Sequence, residues 1–430
     1  MIELGVIADD LTGGMMVASL LEREGVRCPL VTSTDRLAKL QSDAEAVVIG
    51  RKIRLIPPTV AVADAKNSAS GLIAAGAKRI YYKYCATFDS TDEGNIGPIA
   101  EALMTTLNTD RTIFCPAFPE YSVTIFQGRM FLGDIMLGES SKRFDPVTPM
   151  TNSNLVEVLA AQSRGKTGVI THSRLIADKE AAQAYVDNQV ADGTGLFITD
   201  AADNDDVASI ARLTLDWPLT TGADALPMFL ARAWRNEALV PAKTTQTSQA
   251  THLLPASPGF EAIIAGSCAE ATRIQLDYFE AAHPVYRVDL LAPAEHFETA
   301  FKNWAKSRLN EGPIAVTTSA DVEEVKRIQT ELGVKGAAEL ADELLGKAAV
   351  ILQQLGVRKF VVAGGETSGQ IFTSLGVAQV RVAPFDNLSG GYCHQAGPEP
   401  ISFVLKAGAL GGQDFMFTAL DRMREADANK

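Results

Sequence analysis

GVIADDLTGG, residues 5–14, is an apolar run that climbs to two adjacent aspartates and breaks into Leu11-Thr12-Gly13-Gly14. The apolar part reads as a buried strand, and the polar break after it reads as the start of a helix. Like charges side by side repel, and a buried carboxylate without a partner is costly. Asp9 and Asp10 therefore either cap the next helix or hold something. Capping is the plain reading, because the side-chain oxygen of Asp10 or Thr12 can accept an orphan backbone N–H. Holding a ligand is the stronger one, since ligands of open α/β sheets sit beyond the carboxyl ends of strands. The acids are adjacent, which is not the phosphatase-type DxDxT spacing.

The same alternation of short strand and longer helix continues outward. Strands are expected at 2–8, 46–50, 78–84, 111–116 and 167–171. A helix is expected at 14–24, with Val17, Leu20 and Leu21 on one face and Glu22, Arg23 and Glu24 wet. Such alternation predicts βαβ units and largely parallel sheets. Near 236–258, NEALVPAKTTQTSQATHLLPASP lacks any period and is rich in Thr, Ser, Pro and Ala. It reads as a linker between a domain at 1–235 and a second at 259–425, where alternation restarts with FEAIIAGSC (260–268). A length of 430 residues also favours two cores over one.

Composition narrows the function. With 47% hydrophobic and 21% charged residues the chain reads as globular. A net charge of −13 argues against nucleic acid as the main partner, yet leaves room for a small anion held by local cations. The five cysteines are scattered with no CxxC, and the N-terminus carries no signal-like segment, so a reduced, cytoplasmic location is expected. No apolar run nears the roughly 20 residues that span a bilayer. The five histidines are dispersed and suggest no metal site; most read as surface or loop residues, while His394 could touch a nucleotide.

Three further stretches carry chemistry. YYKYCATFDSTDEGNIG (81–97) delivers Lys83 from a strand, then polar Thr87, Asp89, Ser90 and Thr91, with a helix expected from Asp92 or Glu93. A capped turn explains part of it. Lys83 beside a helix N-terminus also makes an anion site, and Arg54, after AVVIG (46–50), adds a second cation suited to a small carboxylate. VVAGGETSG (361–369) is a strand, tight glycines and a helix start, whose exposed N–H groups can cradle phosphate. It has neither a Walker A lysine nor GxGxxG, so a plain glycine turn competes with that reading. LKAGALGG (405–412) adds Lys406, a ligand or a solvated charge.

IADDLTGG, KYCATFDSTDEGNIGP, DPVTPMTNSNL, AGSC, VVAGGETSG and LKAGALGG occur in that order over nearly the whole chain. Together they resemble the four-carbon acid sugar kinases, the family of 3-oxo-tetronate, D-threonate and D-erythronate kinases, with the tyrosine-cysteine form of the second motif nearest the 3-oxo-tetronate branch. The resemblance implies an α/β fold of two domains, each a largely parallel sheet flanked by helices, with the active site in the interdomain cleft. It implies ATP and Mg²⁺, and a sugar acid phosphorylated on its terminal hydroxyl; the chain could assemble as a homodimer. Asp9 and Asp10 would be catalytic, with Arg54, Lys83, Thr87 and Asp89 on the acid. Ser267, Gly364, Gly365, Glu366, Thr367 and Gly408 would face ATP. Three departures stand out: Met16 where the family has an aspartate, Ala86 where it has a serine, and the stretch 385–400. A non-catalytic sugar-acid sensor is the rival they would permit.

Overall fold

The structure, a computed structural model, describes residues 2–40, 43–145, 147–235, 254–386, 391–408 and 410–428. The chain divides into two compact units, Met1–Gln246 and Thr247–Lys430. Most of the expected linker, 236–253, lies outside the described residues.

Eleven strands belong to the first unit: β1 Leu4–Ala8, β2 Leu30–Val31, β3 Ala46–Gly50, β4 Arg79–Lys83, β5 Thr112–Cys115, β6 Val123–Phe126, β7 Arg129–Leu132, β8 Ile135–Met136, β9 Lys166–Ile170, β10 Thr194–Thr199 and β11 Leu219–Gly222. Eight of them form a parallel sheet in the order β2-β3-β1-β4-β11-β5-β10-β9, and β6-β7-β8 make a small antiparallel sheet apart. Every residue of β1 and β3 is buried. That is why both read as unbroken apolar runs: helices cover both faces of a parallel sheet. The chain goes from β1 to β3 on one side and to β4 on the other, so the strand order switches at β1. Ala8 stands opposite both Gly50 and Lys83, and Lys83 opposite Gly222. The residues just past these four strands therefore share one edge.

The second unit has β12 Phe260–Ala265, β13 Val285–Arg287, β14 Ile314–Thr317, β15 Val357–Ala363, β16 Gln379–Val382, β17 Gly391–Gln395 and β18 Ile401–Lys406. Its order is β13-β14-β12-β15-β18-β17-β16, parallel through β18 and antiparallel beyond. Here the switch falls between β12 and β15. Ala265 aligns with Thr317 and Ala363, and Ala363 with Lys406. Ile263, Ala265, Val361, Val404 and Phe279 are among the residues that pack its core.

Two helix boundaries differ from expectation. The first helix runs Leu11–Arg23, three residues earlier at its start, because Asp10 is its N-cap and accepts from Gly13 N. Thr12 does not cap; its Oγ1 is buried without a hydrogen bond. The helix expected from Asp92 or Glu93 begins at Ile96. Its N-cap residue, Asn95, turns its side chain away from the helix to the backbone of 53–56.

Candidate active site

At the switch point of the first unit, β1 ends in Asp9 and Asp10, β4 in Lys83, and the chain past β3 brings Arg54. The structure brings these four together, but pairs them with one another. Arg54 Nε and Nη2 each donate to Asp9 at 2.7 Å, a bidentate grip. Arg54 Nη2 also lies 3.0 Å from Asp10 Oδ1, the oxygen that caps the first helix. Asp9 is 2% exposed and Lys83 3%. Burial pulls the Asp10 carboxyl upward, but Arg54, Lys83 and the Gly13 N–H together hold it below the usual carboxylate range. Burial likewise works against the Lys83 ammonium, and Asp224, Asp10 and Asp9 outweigh it and raise its pKa.

Asp224, two residues past β11, escapes a reading of the sequence. Its Oδ1 lies 3.5 Å from Lys83 Nζ, which itself donates to Tyr84 O at 2.9 Å. Only strand order could reveal it, since 141 positions separate Asp224 from Lys83. Asn95 is a second omission. Its amide donates to the carbonyls of Ile53, Arg54 and Ile56 at 2.7, 3.1 and 3.2 Å, and so fixes the loop that carries Arg54.

Thr87 and Asp89 form their own cluster. Thr87 Oγ1 donates to Asp89 Oδ1 at 2.5 Å, and Lys142, the third omission, donates to Asp89 Oδ2 at 2.6 Å. Cys85 joins the two groups: its thiol donates to Asp89 at 3.3 Å and also feels the charges of Arg54 and Lys83. Burial and then Asp89 push the Cys85 thiol up, so it stays protonated near neutrality.

In the second unit the candidate phosphate loop is tied to two neighbouring strand ends. Gly364, with φ +130°, is left-handed backbone that glycine favours. Its N–H donates to Lys406 O at 2.9 Å, while Gly266 and Ser267 donate to Ala363 O. Gly365, Glu366 and Thr367 open the helix Gly365–Ser374. A Cβ on Gly364 would stand 2.9 Å from Thr367 Oγ1 and 3.4 Å from Ser267 N, and one on Gly408 would collide with Ser267 Oγ. Ser267, Gly364, Thr367 and Gly408 are thus brought together, packed too closely for a side chain at either glycine.

Lys406 is not solvated, and it has no ion pair among the described residues: it is fully buried and donates to Thr272 Oγ1, Ala407 O and Gly408 O at 3.1, 3.1 and 2.8 Å. Burial brings its pKa down to about 8. His394 also departs from expectation. It is buried on β17, with Nδ1 within 3.3 Å of Ser257 Oγ and 3.2 Å of Ser402 Oγ, and burial drops its pKa to about 4. Buried among these hydroxyls, it is a core histidine. Cys28, Cys115 and Cys393 are buried and Cys268, next to Ser267, is exposed. Among the described residues no group of three or more His, Cys, Asp or Glu side chains could hold a metal ion, and no helix is long and apolar enough to cross a membrane.

The comparisons with known proteins match both units. A sugar-binding N-terminal domain family covers residues 4–230 and a nucleotide-binding C-terminal domain family covers 262–416. A 3-oxo-tetronate kinase of Cupriavidus necator is 36% identical over 98% of this chain and 97% of its own length. One from Pseudomonas fluorescens is 37% identical over 99% of this chain and 98% of its own. The chain belongs to the four-carbon acid sugar kinase family. A crystal structure from Salmonella typhimurium LT2 matches with a TM-score of 0.81 at 31% identity, covering 97% of this chain and 99% of that one. Of the departures from the family pattern, Met16 lies half-buried in the helix Leu11–Arg23 and Ala86 half-buried beside Cys85.

Proposed function

We propose that this chain transfers the γ-phosphoryl group of ATP to the terminal hydroxyl of a four-carbon sugar acid, with 3-oxo-tetronate as the preferred acid. The observation that carries the reading is the strand-end cluster of Asp9, Asp10, Arg54 and Lys83 in a chain whose full-length relatives bear that activity in their names. Residues 1–235 would be the acid-sugar domain, 236–258 the linker and 259–425 the nucleotide domain.

Arg54 is held edge-on by Asp9, so its Nη1 side, rather than the whole fork, meets the C1 carboxylate of the acid. Lys83 supplies the second positive charge. Thr87 and Asp89, the latter set by Lys142, take hydroxyls farther along the chain of the acid, while Asp10 helps orient the accepting hydroxyl. Ser267, Gly364, Gly365, Glu366, Thr367 and Gly408 receive the phosphates, where backbone N–H groups meet negative charge at a helix start. Mg²⁺ would arrive on ATP and keep most of its water. When bound it neutralises charge on the phosphates.

The test is a coupled ADP-release assay over 3-oxo-tetronate, threonate and erythronate with Mg-ATP, checked by mass spectrometry of the product. A phosphorylated four-carbon acid is expected. ADP release that ignores every acid, or acid binding without any turnover, would overturn the kinase reading.

A further inference from the structure

The first unit's site holds three carboxylates, Asp9, Asp10 and Asp224, against two cations, Arg54 and Lys83. Transfer to a hydroxyl needs one group that can take a proton, and such a group needs a lone pair that is not already committed. Asp9 spends both oxygens on Arg54. Asp10 spends Oδ1 on the helix cap and lies against Arg54 with the same oxygen. Asp224 is held more loosely than Asp9: its Oδ1 meets Lys83 Nζ only at 3.5 Å, with no arginine fork upon it among the described residues.

We propose that Asp224 is the general base, and that its carboxylate takes the proton of the accepting hydroxyl. The assignment rests on the kinase reading above. As the hydroxyl oxygen forms its bond to the γ-phosphorus, its O–H bond breaks toward Asp224, and the electrons of the broken Pγ–O bond leave with ADP. The products are the phosphorylated acid, ADP and a proton on Asp224, which is then lost to water.

Backbone geometry holds Asp224 for this task. Ala223 N donates to Cys115 O at 3.1 Å, Tyr81 Oη donates to Ala223 O at 2.8 Å, and Tyr84 N donates to Gly222 O at 3.1 Å. The peptide before Asp224 is therefore fixed on both sides, and the carboxylate is aimed rather than free to swing. The charges bearing on it are Lys83, Asp10 and Arg54, and its own charge reaches the phenols of Tyr81 and Tyr121. Burial is the largest influence and raises its pKa; Lys83 opposes by its charge and by a hydrogen bond, Asp10 adds to the rise, and Arg54 opposes. Asp10 is moved the other way. Of two carboxylates on one site, the one moved upward is the better base near neutral pH.

The experiment compares wild type, Asp224→Asn and Asp10→Asn as full chains with Mg-ATP and the acid that wild type phosphorylates. Asp224→Asn should lose about 10²–10⁴-fold in kcat, keep its ATP affinity, and lose the acid limb of the kcat/KM pH profile, which Asp10→Asn should retain. An Asp224→Asn enzyme with kcat within threefold of wild type overturns the assignment. So does an acid limb that vanishes in Asp10→Asn, and this second result decides the matter even if Asp224→Asn fails to fold. A wild type that phosphorylates no four-carbon acid overturns the kinase reading instead, and the base assignment with it.

Discussion

Asp9 and Asp10 are neighbours in sequence with opposite tasks in the fold. Asp10 is the helix cap, with Gly13 N 2.9 Å from its Oδ1. Asp9 is half of a buried ion pair with Arg54. Asparagine caps nearly as well as aspartate, so Asp10→Asn should cost about 1–2 kcal/mol, mostly from the lost attraction to Arg54 and Lys83. Breaking a buried pair from one side leaves the other charge stranded, and Asp9→Asn should cost about 3 kcal/mol or more. Urea melts followed by circular dichroism would check the order, and equal losses would contradict the division. Below the ordinary aspartate value of 3.8 the gap between wild type and Asp10→Asn should shrink. A carboxylate whose folded pKa is depressed gives stability that is present above its unfolded pKa and is lost as pH falls through the folded one. Asp10 is of that kind, so wild type loses on acidification what Asp10→Asn has already given up. At this scale the sequence spoke for residue type but not for partner. Asp9, Asp10, Arg54 and Lys83 were legible as strand-end charges; Asp224, Asn95 and Lys142 were not, because tertiary pairing across 42 to 141 positions leaves no local pattern.

The elements themselves were the most legible part. Strands β1, β3, β4, β5 and β9 fall within a residue or two of the expected spans because each is a short apolar run closed by polar residues. The helix after β4 was the harder case, since acidic residues at 92–93 imitate a first turn whereas the helix starts at Ile96. Lys406 shows a similar limit: nothing local says that the lysine ending β18 is buried. As an ammonium it has three N–H donors for its three acceptors; as a neutral amine it has two. Because burial sets its pKa at about 8, raising the pH from 7 to 9 removes one of those bonds from the segment carrying Gly408. ATP affinity should fall by up to about tenfold over that range, the worth of one charge-assisted bond. Lys406→Met should bind ATP weakly at both pH values, and calorimetry would show it. Stability moves in the opposite sense: the folded pKa lies below the ordinary value, so this group favours folding more as pH rises from 8 toward 10.5.

On the scale of the whole molecule, two units of parallel sheet each place their candidate residues at a strand-order switch, one at β1 and the other between β12 and β15. The alternation of strand and helix announced that architecture, because parallel sheets demand covered faces and crossover helices. The family matches at 4–230 and 262–416 bracket the aperiodic stretch between them. That stretch, 236–258, holds a single tryptic site, Lys243. If it is a linker, brief trypsin treatment should yield two fragments, 1–243 and 244–430, before any cut within either family match. First cleavage inside 100–200 would argue against the division.

The placement of the cysteines has a practical side. Four of the five thiols are buried or half-buried, and for Cys28, Cys85, Cys115 and Cys393 burial is the main force keeping the sulfur protonated and unreactive. Cys268 is the exposed one, and its neighbour Ser267 packs against Gly364 and Gly408. A maleimide dye would therefore seat itself beside the candidate phosphate loop with no engineering of the chain. If that loop holds nucleotide, the protein carries its own attachment point for a fluorescent reporter of its occupancy.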